Sequence, residues 1–292
     1  MGLSLCEHYN CDEDYSVTIV WSTSFFVGGT AIDCLHSFAG VDFRWRLRHS
    51  VSLVKAFILA AGLGTRLRAL GLDLPKVMVP IGGQPLLQHH FEWFRRQGVT
   101  EFILNLHYLP EKITDFFGDG CRFGVKITYS RETEILGTAG GVKRMEAALR
   151  DGPFLVIYGD NLIRIELAPL VAFHRQHGGP VTIAVYESAE PWTGGVVETD
   201  AAGKVLRFRE KPDRKEISTN LINSGIYLLE PAVLDTIPAG QFCDFGKDVF
   251  PKLLAAGTPL YAMKPKAYIH DIGTPERWAQ AQRDFENGLV LK

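Results

Sequence analysis

Short apolar runs and amphipathic stretches alternate along the chain from residue 55 onwards. Apolar runs predict buried strands at 55–60, 101–106, 126–129 and 154–158. Stretches with helical spacing predict helices at 85–98, around 111–117 and at 142–149. In the first of these helices Leu87, Phe91 and Phe94 share one face, with Pro85 at its start and Gly98 at its end. Strands that alternate with helices in this way predict a mostly parallel sheet.

The pattern changes at residue 181, where strands follow one another with short connections. Alternating apolar residues predict these strands at 181–186, 194–199, 204–210 and 221–229. We therefore predict an antiparallel portion within the same sheet. The predicted fold class is α/β, with a Rossmann-like mixed, mostly parallel sheet flanked by helices, and residues 54–292 form one domain.

The composition excludes several classes of protein. Of the 292 residues, 46% are hydrophobic and 22% are charged, which is ordinary for a globular protein. The net charge of −2, without a basic stripe, gives no support to nucleic-acid binding. The longest uncharged apolar run, 17–32, is too short for a transmembrane helix. The chain begins acidic, with no Lys or Arg before Arg44, which is unlike a secretory signal, so we expect a cytoplasmic protein without a membrane partner.

The loop after the first strand is the first candidate binding site. In LAAGLGTRL at 59–67, Gly62 and Gly64 allow backbone N–H groups to approach a phosphate or a base, and Arg66 adds positive charge. A tight turn that needs positive φ explains the same glycines equally well. Leu67 stands where a dinucleotide-binding loop has its third glycine, and the spacing of a P-loop is absent. The loop therefore predicts a nucleotide cradle rather than a dinucleotide site.

Further motifs follow this loop in order. They are PK at 75–76, PIGGQPLL at 80–87, LGTAGG at 136–141, FLVIYGDN at 154–161, FREKP at 208–212, INSGIYLL at 222–229 and YIHDIGTPERW at 268–278. Together with the glycine loop, they resemble the signature of the sugar-phosphate nucleotidyltransferases, and most closely that of mannose 1-phosphate and heptose 1-phosphate guanylyltransferases. The resemblance covers nearly all of 55–292 and implies a nucleotidyltransferase type of fold.

The resemblance also implies a set of site residues. The catalytic residues it implies are Arg66, Lys76, Asp160 and Lys211. The substrate-binding residues it implies are Ala61, Gly62, Gly64, Thr65, Gly137, Thr138, Gly195, Glu210 and Asn223. In the family, the residues that match Arg66 and Lys76 neutralise the triphosphate, and those that match Lys211 and Glu210 bind the phosphate and the hydroxyl groups of the sugar. Taken singly, such charged residues are usually solvated surface groups.

The same resemblance assigns a catalytic magnesium ion to Asp160 and Asp271. Asp160 follows the strand at 154–158 and Asp271 follows another apolar segment, and open α/β sheets bind ligands where their strands end. Magnesium commonly takes one or two carboxylates together with substrate phosphates and water. Two acids that lie 111 residues apart in sequence are therefore sufficient, and Mg²⁺ is the cofactor we predict. Without the surrounding motifs, each aspartate would be interpreted as a helix cap or a turn residue.

The implied reaction transfers a nucleoside monophosphate from a nucleoside triphosphate to a sugar 1-phosphate and releases pyrophosphate. LGTAGG at 136–141 resembles the motif of mannose 1-phosphate and heptose 1-phosphate guanylyltransferases more than that of thymidylyltransferases, which implies GTP, so a guanylyltransferase is the first hypothesis. Thymidylyl-, uridylyl- and cytidylyltransferases of the same fold stay open, because a few hydrogen bonds select the base. A non-catalytic sugar-nucleotide-binding regulator is a further alternative, since it would keep the pocket without the chemistry.

The first 53 residues differ from the rest because they show no sustained period of 2 or 3.6. Members of the family commonly start with Met-Lys-Ala before the first strand, and Val54, Lys55 and Ala56 take that place here. We therefore predict that residues 1–53 are an N-terminal extension that packs poorly on the domain at 54–292.

Overall fold

The computed structural model describes residues 55–62, 64, 71 and 73–290, and the backbone of residues 21–27 and 30–36. The chain divides into two units, residues 1–50 and residues 51–292. In the first unit, strands β1 (Trp21–Val27) and β2 (Thr30–His36) pair in antiparallel fashion, which the sequence pattern does not predict. The poor packing expected for residues 1–53 stays a prediction.

The second unit contains the remaining strands and all the helices of the described residues. Its strands are β3 (Lys55–Leu59), β4 (Pro80–Ile81), β5 (Gln84–Pro85), β6 (Glu101–Leu106), β7 (Lys126–Arg131), β8 (Phe154–Tyr158), β9 (Asn161–Ile165), β10 (Val181–Glu187), β11 (Gly195–Thr199), β12 (Val205–Glu210), β13 (Leu221–Leu229), β14 (Leu260–Met263) and β15 (Ala267–Asp271). Its α-helices are α1 (Leu86–Arg96), α2 (Pro110–Phe117), α3 (Gly137–Arg144), α4 (Glu146–Leu149), α5 (Leu167–His177), α6 (Phe250–Ala255) and α7 (Pro275–Glu286). Across the described ranges, no helix is both long enough and apolar enough to cross a membrane.

Nine strands of the described residues form one sheet in the order β12-β11-β13-β8-β3-β6-β7, and β10 pairs with both β13 and β14. β8, β3, β6 and β7 are parallel neighbours. β13 is antiparallel to β8, β10 and β11. Seven of the nine strands run in the same direction, because β12 and β13 are the two that are reversed. The predicted mixed, mostly parallel sheet is confirmed, including the antiparallel portion after residue 181.

Both faces of the central sheet are buried, which explains why its strands are apolar at nearly every position. Along β3, Ala56 and Ile58 belong to the apolar core on one face, whereas Phe57 belongs to the core on the other face. Phe91 of α1 packs into the first core and Val142 of α3 into the second. With helices packed into both cores, the loops that follow the strands are left at the edges of the sheet.

One local prediction is wrong, and one pair of strands is not predicted. The helix predicted at 142–149 begins earlier, because α3 starts at Gly137 and ends before α4 begins at Glu146. Gly140 and Gly141 suggest a loop, but a Cβ at either position would lie 2.6 Å from a neighbouring oxygen atom, so close packing requires glycine within this helix. In addition, β9 and β15 pair with each other in a separate two-stranded sheet, and the apolar pattern does not predict either strand.

Candidate functional site

The carboxyl ends of β3 and β8 lie side by side and border a cavity. Leu59 pairs with Tyr158 at the last position of these two parallel strands, so the loops that follow leave the sheet together. The cavity has a volume of about 200 Å³. It is lined by Leu59, Ala60, Ala61, Gly62, Lys76, Val77, Thr138, Tyr158 and Asp160. The structure therefore brings five of the predicted site residues, from four separate segments, to one cavity.

Gly159 precedes Asp160 and leaves no room for a side chain beside this cavity. A Cβ on Gly159 would lie 2.7 Å from Leu59 O, 2.8 Å from Ile58 Cγ2 and 3.0 Å from Val77 Cγ1. The Gly159 N–H also donates a hydrogen bond to Leu59 O at 3.0 Å. The turn that carries Asp160 is therefore in direct backbone contact with β3, and this contact positions the backbone at Asp160 relative to the start of the glycine loop.

Lys76 joins the two aspartates that were predicted to bind magnesium. It begins a short 3₁₀ turn, Lys76–Met78, and its side chain is only 9% exposed. Its Nζ atom donates hydrogen bonds to Asp160 Oδ2 at 2.7 Å and to Asp271 Oδ1 at 3.1 Å. The two carboxylates, although 111 residues apart in sequence, therefore share one ammonium group.

The pairing of β9 with β15 explains how the two aspartates meet. Asn161, the first residue of β9, lies opposite Asp271, the last residue of β15. Asp271 is therefore held next to Asp160, the residue that precedes β9. His90 of α1 holds the start of β9 as well, because its Nε2 atom lies 2.7 Å from Asn161 O. Burial lowers the pKa of His90 to about 3, so the neutral ring donates to this carbonyl and His90 is a packing residue.

Asp271 is held on both of its oxygen atoms. Besides Lys76, Gly273 N–H donates to Oδ1 at 2.8 Å and Arg277 Nη1 donates to Oδ2 at 2.5 Å. Burial alone would raise the pKa of Asp271, but the positive charges of Lys76 and Arg277 outweigh it and hold this pKa below its usual value. Arg277 is not among the predicted residues. It lies in the motif at 268–278, and a basic residue in the first turn of α7 was the signal available.

The chemistry of these groups fits a hard divalent cation. Two carboxylates converge on one positive charge, and carboxylate oxygens are ligands that magnesium prefers. Across residues 55–62, 64, 71 and 73–290, no group of three or more His, Cys, Asp or Glu residues could hold a metal ion. Magnesium often completes its coordination shell with substrate phosphates and water, so two carboxylates suit it. Asp160 and Asp271, which are 41% and 33% exposed, are the residues that would hold it.

A second group of predicted residues surrounds Glu210, at the end of β12. A Cβ added at Gly195 or at Gly246 would lie 2.9 Å from Glu210 Oε2, so two glycines flank this carboxylate. Burial raises the pKa of Glu210, the negative charge of Asp244 adds to the rise, and two nearby lysines oppose it. Among the described residues, no side chain or backbone N–H donates a hydrogen bond to this carboxylate. The carboxylate is therefore available to accept hydrogen bonds from a ligand.

Lys211 follows Glu210 with a left-handed backbone. Its φ of 49° is uncommon for a residue with a side chain. The Lys211 N–H donates a hydrogen bond to Gly194 O at 3.0 Å, which ties the end of β12 to the residue before Gly195. The Lys211 ammonium group lies near enough to Glu210 to lower the pKa of that carboxyl group. A cation and a hydrogen-bond acceptor therefore lie on adjacent residues. The left-handed backbone at Lys211 is strained, and such strain clusters at functional sites.

Thr138 and Tyr158 connect the cavity to this second group. Thr138 Oγ1 donates to Asp244 Oδ2 at 2.9 Å, and Asp244 is the carboxylate that raises the pKa of Glu210. Asn223 Nδ2 donates to Tyr227 Oη at 2.7 Å, and this hydroxyl donates to Tyr158 Oη at 3.2 Å. Tyr158 and Asp244 are not among the predicted residues, because the first resembles a buried strand residue and the second lies outside every motif.

Two buried polar residues support the loops without lining the cavity. Asn105 Oδ1 accepts a hydrogen bond from Ala60 N–H at 2.8 Å, and Asn105 Nδ2 donates to Glu132 Oε1 at 2.9 Å. Glu132 Oε2 in turn accepts from Leu136 N–H at 3.1 Å. This chain of hydrogen bonds connects the glycine loop to the residue before α3. A polar residue within the apolar strand 101–106 was the signal that could have identified Asn105.

The remaining predicted residues have different surroundings. A Cβ at Gly64 would lie 3.5 Å from Lys76 Cβ, so the glycine loop passes beside that lysine. A Cβ at Gly137 would lie 2.5 Å from Cys243 O, so this glycine packs against protein backbone at the start of α3. Thr65 and Arg66 lie outside the described residues, and their roles stay predictions.

Comparison with known proteins identifies the class of protein to which this fold belongs. The family model described as nucleotidyl transferase matches residues 55–288. The chain therefore belongs to the nucleotidyl transferase family.

Individual relatives are similar over most of the second unit. The chain is 41% identical over 239 residues to a UTP–glucose-1-phosphate uridylyltransferase from Synechocystis sp., with 77% of this chain and 62% of the relative covered. It is 43% identical over 243 residues to a probable mannose-1-phosphate guanylyltransferase from Oryza sativa subsp. japonica, with 82% and 64% covered. The chain thus spans less than two thirds of the length of these curated relatives.

A solved structure is similar over its whole length. The crystal structure of HddC from Yersinia pseudotuberculosis complexed with GMP-PN has 31% sequence identity to this chain and a TM-score of 0.68. The similarity covers 80% of this chain and 100% of that one.

Proposed function

We propose that this chain transfers a nucleoside monophosphate from a nucleoside triphosphate to a sugar 1-phosphate. The observation that carries the proposal is the meeting of Asp160 and Asp271 on Lys76, at the cavity lined by the glycine loop. Family membership over residues 55–288 supports it. Retention of all three charged groups favours an enzyme over a regulator that binds sugar nucleotides without turning them over.

In the proposed reaction, a phosphate oxygen of the sugar 1-phosphate attacks the α-phosphorus of the nucleoside triphosphate. The bond from that phosphorus to the bridging oxygen breaks, and pyrophosphate leaves with the electron pair. A phosphate monoester is already a nucleophile at neutral pH, so no side chain has to remove a proton. The protein's contribution is to bring two anions together and to neutralise the charge they share.

The residues at the cavity are suited to that neutralisation. Asp160 and Asp271 would hold magnesium, which when bound supplies positive charge to the phosphate oxygens. Lys76 lies between these carboxylates and lines the same cavity. Ala61 and Gly62 line the same cavity without bulky side chains, so a triphosphate can approach their backbone.

The residues around Glu210 are suited to the sugar 1-phosphate. We assign hydroxyl groups of the sugar to the Glu210 carboxylate and the phosphate group to Lys211 beside it. Gly195 keeps the approach to Glu210 open, because a Cβ there would lie 2.9 Å from its Oε2 atom. Asn223 adds a polar group through an amide that Tyr227 orients.

For the base, we propose guanine. The motif at 136–141, the similarity to a probable mannose-1-phosphate guanylyltransferase and the similarity to a structure complexed with GMP-PN support it. The similarity to a uridylyltransferase supports UTP as the second candidate. The test is pyrophosphate release from GTP, UTP, dTTP, CTP and ATP, each combined with a panel of sugar 1-phosphates. Preference for UTP would overturn the guanine assignment, and no release from any pair would overturn the enzyme.

Glu210→Gln is expected to lower kcat/KM for the sugar 1-phosphate by about tenfold, as one charge-assisted hydrogen bond worth about 1.5 kcal/mol is lost. The ionised form of Glu210 accepts the hydrogen bonds of the sugar, and its pKa is raised. As the pH is lowered, kcat/KM of the unmodified protein should therefore begin to fall while the pH is still above the ordinary range of glutamate, and the variant should lose this fall. The measurement is a pH profile of kcat/KM for both proteins.

Glu210→Gln should lower kcat/KM without lowering the stability of the fold. The raised pKa means that folded Glu210 binds protons more readily than the unfolded chain, so its ionised form costs folding free energy at neutral pH. Glu210→Gln should therefore leave Tm at pH 7 unchanged or higher. Glu101→Gln, at the exposed start of β6, is the control and should alter neither quantity. A lower Tm together with an unchanged pH profile would contradict the role given to Glu210.

A further inference from the structure

Lys76 already occupies the place between the two aspartates that are proposed to bind magnesium. Its Nζ atom is 2.7 Å from Asp160 Oδ2 and 3.1 Å from Asp271 Oδ1, and the lysine side chain is 9% exposed. The side chain is therefore held in one place by two ion pairs and by its surroundings, unlike a lysine that extends into solvent.

The charges in this cluster balance among the described residues. Asp160 and Asp271 supply two negative charges, and Lys76 and Arg277 supply two positive charges in direct contact with them. The Arg277 guanidinium donates to Oδ2 of Asp271, whereas the Lys76 ammonium group donates to both carboxylates. A free divalent cation would thus approach a cluster that is neutral and whose carboxylate oxygens are partly engaged.

We infer that Lys76 is an internal counter-ion that holds the two carboxylates together before nucleotide binds, and that it leaves them when a metal–nucleotide complex arrives. This inference rests on the proposed function. A triphosphate offers the Lys76 ammonium group a new anionic partner, so the lysine can leave the carboxylates without becoming an unpaired buried charge. Without nucleotide, Lys76 has no such partner and competes with the free cation. The protein therefore takes up its metal together with the nucleotide and binds the free ion weakly.

The test compares Lys76→Met with Arg277→Met in the full chain, without nucleotide. Both substitutions remove one positive charge next to Asp271, but only the first also removes the ion pair of Asp160. We expect Lys76→Met to bind Mn²⁺ at least about tenfold more tightly than the unmodified protein, because a nearby like charge is removed. Arg277→Met should show a clearly smaller gain. Isothermal titration, or the loss of the electron paramagnetic resonance signal of free Mn²⁺, gives the dissociation constants.

Thermal unfolding gives a second readout that does not depend on turnover. Without metal, Lys76→Met should have a lower Tm, since Asp160 loses its ion-pair partner beside the Asp271 carboxylate, and Mg²⁺ should raise that Tm. The Tm of the unmodified protein should respond little to Mg²⁺ alone. If Lys76→Met does not fold, Lys76→Gln replaces it, because an amide can still donate to both carboxylates without carrying charge.

Two outcomes would overturn the inference. One is equal Mn²⁺ affinity in Lys76→Met and Arg277→Met, which would mean that net charge alone controls binding. The other is tight Mn²⁺ binding by the unmodified protein without nucleotide. Failure of the proposed function has a different signature, namely no pyrophosphate release by the unmodified protein from any substrate pair. The metal affinities of the two variants would still differ in that case.

Discussion

Asp160→Asn is expected to lower the rate of pyrophosphate release by at least about 10³-fold. Asparagine keeps the shape of the side chain but removes the negative charge that would hold the metal next to the phosphates. Lys76 keeps Asp271 as a partner, so the free energy of unfolding should change little. The measurement is kcat under saturating substrates, with thermal unfolding recorded on the same samples.

The matched control for this variant is Asp115→Asn, because Asp115 is an exposed residue of α2. It should keep both the rate and the Tm of the unmodified protein. Near-normal turnover in Asp160→Asn would contradict the metal assignment. A folded Asp160→Asn variant that still binds nucleotide but does not release pyrophosphate would show that binding and chemistry are separable at this residue.

Gly159→Ala is expected to lower kcat by about 10²-fold and to destabilise the fold by about 1–3 kcal/mol. The new Cβ would lie 2.7 Å from Leu59 O and 2.8 Å from Ile58 Cγ2, so either β3 or the turn must move. A displaced turn carries the Asp160 carboxylate away from Lys76. Misplacement of a catalytic group by about 1 Å is enough for a loss of this size. The measurements are kcat and the midpoint of urea unfolding.

Gly152→Ala is the control for this substitution. A Cβ on Gly152 would meet no atom within 4 Å, and neither glycine has a φ in the left-handed region. The two substitutions therefore differ only in the space around the added methyl group. Equal behaviour of the two variants would mean that the contact between Gly159 and β3 does not position Asp160.

The central strands could be predicted because both faces of the sheet are buried. Phe57 and Ile58 point to opposite cores, so the sequence is continuously apolar and no amphipathic interpretation competes. The start of α3 could not be predicted in the same way. Gly140 has low helix propensity, and its presence is explained only by the 2.6 Å that would separate a Cβ from Gln241 O.

The site was predictable only in part, since its residues meet through long-range contacts. The resemblance indicated Asp160, Asp271 and Lys76. The contact of both carboxylates with Lys76 depends on the pairing of β9 with β15, which no local pattern predicts. Asp244 and Arg277 were missed for a similar reason. Each contacts a predicted residue, but spacing along the chain does not reveal which of many polar residues will do so.

The pairing of β9 with β15 also determines when a nascent chain can bring Asp160 and Asp271 together during synthesis. While the ribosome is still adding residues 166–266, β9 has no β15 beside it and Asp160 has no Asp271. The glycine loop and the parallel core can be complete at that stage, because their strands lie earlier in the chain. Nascent chains should therefore acquire their second acidic group, and with it the proposed ability to act on a nucleotide, only after β15 has been synthesised.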